Sequence, residues 1–190
     1  MKEVNILIVG VGGQGTLLAS RIIGKLAGLY GLDVKLSEVH GMAQRGGSVV
    51  THAKIAERVY SPVIGEGCAD FIVAFEKLEA LRYTQYLRDG GTIIVNTQEI
   101  LPMPVITGAA EYPSDAVKTL KRSYAVISTD ALAIALKSAG NAKAVNIVML
   151  GILFSKMGVT LSDAETALAA CVKPEFLEIN KAALKAGYTL

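Results

Sequence analysis

Two glycine-rich segments hold most of the residues that can do chemistry. The first is Gly10-Val11-Gly12-Gly13-Gln14-Gly15-Thr16, directly after the apolar run Val4 to Val9. It satisfies G-x-G-x-x-G and opens a helical pattern. Glycines there permit a tight turn and let backbone N–H groups approach an anion at a helix N-terminus. Gly10, Gly12, Gly13, Gln14, Gly15 and Thr16 are therefore candidate cofactor-binding positions. Glu38 stands near the end of the next strand pattern, roughly where a ribose-binding acid belongs. Two readings stay open: a dinucleotide fingerprint, for a nicotinamide or flavin, or a turn that lets the first helix pack closely on its strand. The nucleoside-triphosphate loop fails, because Gly15 is followed by Thr16-Leu17 and not by Lys-Ser/Thr.

The second segment is Ser37-Glu38-Val39-His40-Gly41-Met42-Ala43-Gln44-Arg45-Gly46-Gly47-Ser48. In an open α/β sheet it falls at the same carboxyl edge as the first loop. Arg45 offers a forked donor for carboxylate or phosphate. The glycines allow close backbone approach. His40, Gln44, Arg45, Gly46 and Gly47 are candidate substrate-binding or interface residues, against the alternative of a solvated turn.

Other positions carry less. His52 lies opposite in phase to Val49 and Ile55 on an alternating strand and reads as a surface or edge histidine. Thr129-Asp130 reads as a helix N-cap. Asn146 interrupts an apolar helix, so it either hydrogen-bonds inside the protein or faces a partner. Cys68 and Cys171 have no neighbour in sequence that would lower a thiol pKa. No nucleophile elbow and no H-E-x-x-H is present, and two histidines give acid–base chemistry little material. No catalytic residue is assigned.

The elements that must position these loops alternate along the chain. Strand patterns at Val4–Val9, Asp33–Glu38 and Ser48–Glu57 enclose a helix at Thr16–Tyr30. A turn near Arg58 and the run Val59 to Ile64 suggest a hairpin, hence a mixed sheet. Further on come a strand at Asp70–Phe75, a helix at Glu76–Leu87, a turn at Asp89-Gly90-Gly91 and a strand at Thr92–Asn96. Residues 101–113 hold three of the five prolines and read as irregular. A helix at Ser114–Lys121 and a strand at Tyr124–Ser128 follow, and the chain then looks helical. The expectation is one α/β domain over residues 1–190. It has three layers, α/β/α, with a mostly parallel, mixed, Rossmann-like sheet and a helical C-terminal portion.

Composition narrows the classes. Of 190 residues, 52% are hydrophobic and 19% charged, which excludes a disordered chain. A net charge of +2 shows no nucleic-acid footprint. The longest apolar stretch, Val145 to Phe154, falls well short of the roughly 20 residues of a membrane span. The N-terminal apolar run is too short for a signal-peptide core. Two cysteines make a disulfide framework or a metal cage improbable. A cytoplasmic protein that binds neither metal, membrane nor nucleic acid is expected.

Together the two motifs, Gly10 to Gly15 and Ser37 to Val49, resemble the gamma-type subunits of 2-oxoacid:ferredoxin oxidoreductases. The His-Gly-Met-Ala-Gln-Arg-Gly-Gly form is most similar to the small (beta) subunits of the indolepyruvate branch. The similarity continues through Thr129-Asp130-Ala131 and Asn146 to Gly151. The resemblance implies CoA-dependent oxidative decarboxylation of an aryl 2-oxoacid, giving aryl acyl-CoA, carbon dioxide and reduced ferredoxin. It implies that thiamine diphosphate, Mg and the iron–sulfur clusters belong to a larger partner subunit, through which ferredoxin is reached. The glycine loop and His40, Gln44, Arg45, Gly46 and Gly47 become candidate contacts to CoA, a co-substrate, or to that partner. An apolar face normally covered by the partner would leave the isolated chain open to dimerisation. A stand-alone NAD(P)- or flavin-binding oxidoreductase and a ligand-free scaffold remain the alternatives.

Overall fold

The computed structural model describes residues 3–41 and 46–190. The first strand, β1 (Val4–Val11), is buried along nearly its whole length. Such a run, apolar on both faces, suits a central strand covered by helices on each side. It leads through the first glycine loop into α1 (Thr16–Leu29). Strands β2 (Asp33–His40) and β3 (Ser48–Ala56) follow and pair antiparallel, with Glu38 opposite Thr51 and His40 opposite Val49. Then come β4 (Ala69–Ala74), α2 (Lys77–Arg82), β5 (Leu87–Asn96), α3 (Met103–Ile106), α4 (Ala116–Ser123) and β6 (Ala125–Thr129). The C-terminal portion is helical: α5 (Ala131–Ala139), α6 (Val145–Lys156), α7 (Leu161–Ala169) and α8 (Leu177–Tyr188).

The sheet order is β2-β3-β1-β4-β5-β6. β1, β4, β5 and β6 run parallel, and β3 is antiparallel to both its neighbours. One face carries Ile6, Ile8, Ile55, Val73 and Ile94 against the first helix and the C-terminal helices. The other carries Leu7, Val9, Ile72, Ile93 and Val95 against Ala80 and Leu120 of α2 and α4. This is the expected mixed three-layer α/β architecture. α6 is buried from Asn146 to Phe154 and lies so close to α8 that a Cβ on Gly151 would sit 2.2 Å from the Leu184 carbonyl oxygen.

Three expectations need correction. The hairpin is formed by β2 and β3, and Val59 to Ile64 is not a strand. Pro62 removes a ladder donor from that run. Val59 and Ile64 instead turn inward as buried anchors, while Tyr60 and Val63 face out. That segment covers His52, which is buried and not at the surface; the Ile64 N–H donates to His52 Nδ1 at 3.2 Å. Finally, Asp89-Gly90-Gly91 lies inside β5. The register slips between Ala69↔Leu87 and Phe71↔Thr92, and Gly90, at φ 73°, lets the strand bulge there.

Candidate functional site

The carboxyl ends of β1, β4 and β5 meet at the first glycine loop, which the protein's own groups hold tightly. Gln14 folds back so that its Oε1 accepts from the Val11 N–H at 2.7 Å. Its Nε2 donates to the Phe75 carbonyl at 3.0 Å. The Gly12 N–H donates to the Gly47 carbonyl at 2.9 Å, joining the two glycine segments that the sequence places far apart. Gly15 caps α1 in the left-handed region, φ 84°, and its carbonyl accepts from Asn146 Nδ2 at 3.2 Å. Part of the glycine signal is thus close packing: a Cβ on Gly15 would lie 2.5 Å from Asn146 Nδ2.

A cleft of about 380 Å³ opens on the β2 side of the loop, lined by Gly12, Gly13, Gly15, Thr16, Glu38 and His40. Glu38 is not a free ribose acceptor. Its Oε2 accepts from Thr16 Oγ1 at 3.1 Å and from Thr51 Oγ1 at 3.0 Å. A carboxylate tied to the first residue of α1 favours the helix dipole. It also sets negative charge where a dinucleotide's pyrophosphate would approach. His40 is exposed at this cleft, and Gly46 has φ 77°. Gln44 and Arg45 lie outside the described residues.

A second cleft, of about 630 Å³, opens on the other side of the same loop, between Gly13, Gly15, Gln98, Leu132, Lys143 and Asn146. Asn146 is buried, and the first of its two sequence alternatives, a hydrogen bond inside the protein, is the one seen. Its amide nitrogen is hydrogen-bonded inside the protein to Gly15, while its buried Oδ1 has no partner. Asn96, missed by the sequence reading, ends β5 fully buried. It donates to the Phe75 carbonyl at 3.1 Å and accepts from the Ala131 N–H at 3.0 Å, fixing the start of α5. The signal for it is a lone amide closing the apolar run Ile93-Ile94-Val95. Asp130 caps the same helix through the Ala133 N–H at 2.9 Å, as its position predicts.

Beneath the start of β3 lie two buried acids the sequence reading also missed. Glu76 Oε2 accepts from the Glu79 N–H at 3.0 Å, and its Oε1 accepts from the Tyr112 hydroxyl. Glu79 accepts from the Ser48 hydroxyl and stands 3.4 Å from Arg82 Nε. Burial holds the Glu79 carboxyl above its usual range, partly offset by Ser48 and Arg82. Burial, then the neighbouring Glu76, pushes the Tyr112 hydroxyl up. These contacts anchor Ser48, and through the Gly47 carbonyl they brace the glycine loop.

Cys68 and Cys171 are free thiols, and burial pushes Cys171 up despite the nearby charges of Lys25 and Arg21. Two cysteines and two histidines do not supply the donor set of an iron–sulfur cluster. Among the described residues no group of three or more His, Cys, Asp or Glu is placed to hold a metal ion. No described helix is long and apolar enough to cross a membrane.

Fold and site define a three-layer α/β module whose paired glycine segments meet at the carboxyl edge of a mixed sheet. The match to the pyruvate ferredoxin/flavodoxin oxidoreductase family runs over residues 5–190, and the chain belongs to that family. It is 42% identical over 191 residues to the indolepyruvate oxidoreductase subunit IorB of Archaeoglobus fulgidus, covering 98% of this chain and 94% of that one. It is 38% identical to the subunit of the same name from Thermococcus kodakarensis, covering 98% and 95%. Among solved structures, pyruvate oxidoreductase subunit PORC from Thermotoga maritima superposes with a TM-score of 0.75 at 22% identity, covering 100% and 97%. That last likeness shows the shared fold.

Proposed function

We propose that this chain is the small subunit of a 2-oxoacid:ferredoxin oxidoreductase acting on aryl 2-oxoacids such as indolepyruvate. The overall change is 2-oxoacid carboxylate plus CoA thiol giving acyl-CoA, carbon dioxide, one proton and two electrons, the electrons passing to ferredoxin. The iron–sulfur clusters belong on a larger partner, since this chain's donor set does not fit a cluster, and the family resemblance assigns thiamine diphosphate and Mg to that partner too. The full-length identity to indolepyruvate oxidoreductase subunits supports the substrate class.

The observation that carries a site role is the Gly12 N–H to Gly47 carbonyl bond. It holds the glycine loop against Gly47, the residue that leads into β3, at the sheet's carboxyl edge. This chain's work there is to bind and orient CoA and to meet the partner. Gly13 presents backbone at φ 100° with open space where a side chain would be, so ligand can come close. Gln14 and Glu38 oppose the stand-alone dinucleotide reading, because one fills the loop and the other lends it negative charge.

Reconstitution with the larger subunit tests this. The expected result is dye reduction that needs arylpyruvate, CoA and both chains. Micromolar NAD(H) or NADP(H) binding by the isolated chain would reverse it.

A further inference from the structure

Between β5 and α4 the chain forms an arm, residues 97–113, that turns apolar side chains to solvent. Leu101, Met103 and Ile106 are 47%, 65% and 62% exposed. Met103 and Ile106 stand three apart on the single turn of α3, so they share a face. Scattered exposed apolar residues are ordinary, but three within one short segment make a patch. The arm is held in this shape. Within it the Val105 and Thr107 N–H groups donate to the Pro102 and Met103 carbonyls at 2.9 Å, and the Ala109 N–H donates to the Pro104 carbonyl at 2.8 Å. At its root Glu76 Oε1 accepts from the Ile100 N–H at 3.3 Å on one side and from the Tyr112 hydroxyl on the other. Lys77 pairs with Glu99 and stands 5.8 Å from the centre of the Tyr112 ring. Both ends are thus clamped to the start of α2, which gives the buried Glu76 a task beyond capping that helix. Apolar groups fixed in advance lose little further freedom on binding.

We propose that this arm is the anchor by which the chain docks on the larger subunit, entering an apolar pocket rimmed by Lys or Arg. Charge sets the rim. From residue 97 to residue 115 the charged residues are Glu99, Glu111 and Asp115, and none is basic. Lys77 answers Glu99 within the chain, whereas Glu111 and Asp115 form no salt bridge among the described residues. Position sets the occupant. Gln98, at the arm's root, accepts from Gln14 Nε2 at 3.4 Å and lines the second cleft, so the arm is continuous with the candidate site. A subunit that meets this chain at that site meets the arm beside it. A second copy fits less well, because a two-fold contact would set the same acidic rim against itself. Tyr60 is more exposed, at 83%, but it follows the far end of β3, at the sheet's amino edge, and already stacks with Arg58. The inference rests on the subunit reading above and names a surface outside the two glycine motifs.

The test titrates the full chain against the purified larger subunit and reads Kd by sedimentation velocity at low and high salt. Met103→Asp combined with Ile106→Asp is expected to raise Kd at least about thirtyfold, the loss of one hot-spot side chain. Both side chains are exposed, so the thermal melt of the isolated variant should match the wild type. Glu111→Lys, off the apolar face, gives an independent reading: Kd should rise about tenfold at low salt and less at high salt. Tyr60→Asp, the same kind of change at the other edge of the sheet, should leave Kd within twofold. If the wild-type chain binds the larger subunit and the double variant and Glu111→Lys both stay within twofold of it, the arm assignment is overturned and the subunit reading stands. If the arm substitutions instead turn a homodimer of the isolated chain into a monomer and leave Kd for the larger subunit unchanged, the occupant is a second copy and the assignment is again overturned. If the wild-type chain does not bind the larger subunit, both readings are overturned.

Discussion

Replacing Gly15 with Ala should damage the protein more than the same change at Gly13, although both glycines have positive φ. An alanine in the left-handed region costs about 1–2 kcal/mol. At Gly13 that is the whole cost, because nothing lies within 4 Å of the new Cβ. At Gly15 the Cβ would meet Asn146 Nδ2 at 2.5 Å and displace the 3.2 Å hydrogen bond to the Gly15 carbonyl. Stranding that buried amide adds about 1–3 kcal/mol. The expected losses are therefore about 1–2 kcal/mol for Gly13→Ala and about 2–5 kcal/mol for Gly15→Ala. For a chain of this size the latter corresponds to a fall in Tm of roughly 10 °C. Thermal melts followed by circular dichroism measure both. A cycle with Asn146→Ala sharpens the test: without the amide, Gly15→Ala should cost only the strain. Equal losses at Gly13 and Gly15, or strict additivity with Asn146→Ala, would refute the view that the loop is locked onto α6.

Gly151→Ala drives a Cβ to 2.2 Å from the Leu184 carbonyl, so urea unfolding should show a loss of about 3 kcal/mol or more, and a loss below about 1 kcal/mol would refute the contact. Glu79 has its folded-state pKa raised by burial, so its contribution to stability is present at low pH and is lost as pH rises through the folded value. Glu79→Gln retains an acceptor for Ser48 and should gain in Tm relative to wild type as pH rises from 4.5 toward neutral. A pH-independent difference would contradict this. His52 is the opposite case: burial lowers its pKa and its Nδ1 must stay unprotonated to accept from Ile64. Wild type should thus lose stability relative to His52→Asn as pH falls below 6.5, by about 1 kcal/mol for the one hydrogen bond.

What could be read from the chain was local. The β-branched run before Gly10 and the apolar stripe after Thr16 place β1, the loop and α1 within a residue or two. Asp130 before Ala131-Leu132-Ala133 marks a cap that is present. His52 was misplaced because what buries it is a segment without regular structure, carried inward by Val59 and Ile64. No periodicity announces such a cover. The hairpin was shifted for a related reason: Val59 to Ile64 has strand-like residues, but Pro62 denies it a ladder. Glu38 was found by position, yet its two hydroxyl donors come from α1 and β3, contacts that only folding creates. Glu76 and Glu79 fall in the expected helix over Glu76–Leu87, and nothing local marks them as buried, because Ser48 and Tyr112, which meet them, are far away in sequence. Asn146 was marked as an interruption, and its distance of 131 residues from Gly15 hid the partner.

The role we propose for this chain is that of a CoA-handling subunit working only with a larger, cluster-bearing partner. The most direct measurement is dye reduction by the chain alone, by the larger subunit alone and by the two combined, with arylpyruvate and with CoA present or omitted. Activity confined to the combined sample and abolished without CoA is the expected result. Full activity of the larger subunit alone, or CoA-independent reduction by the pair, would contradict it.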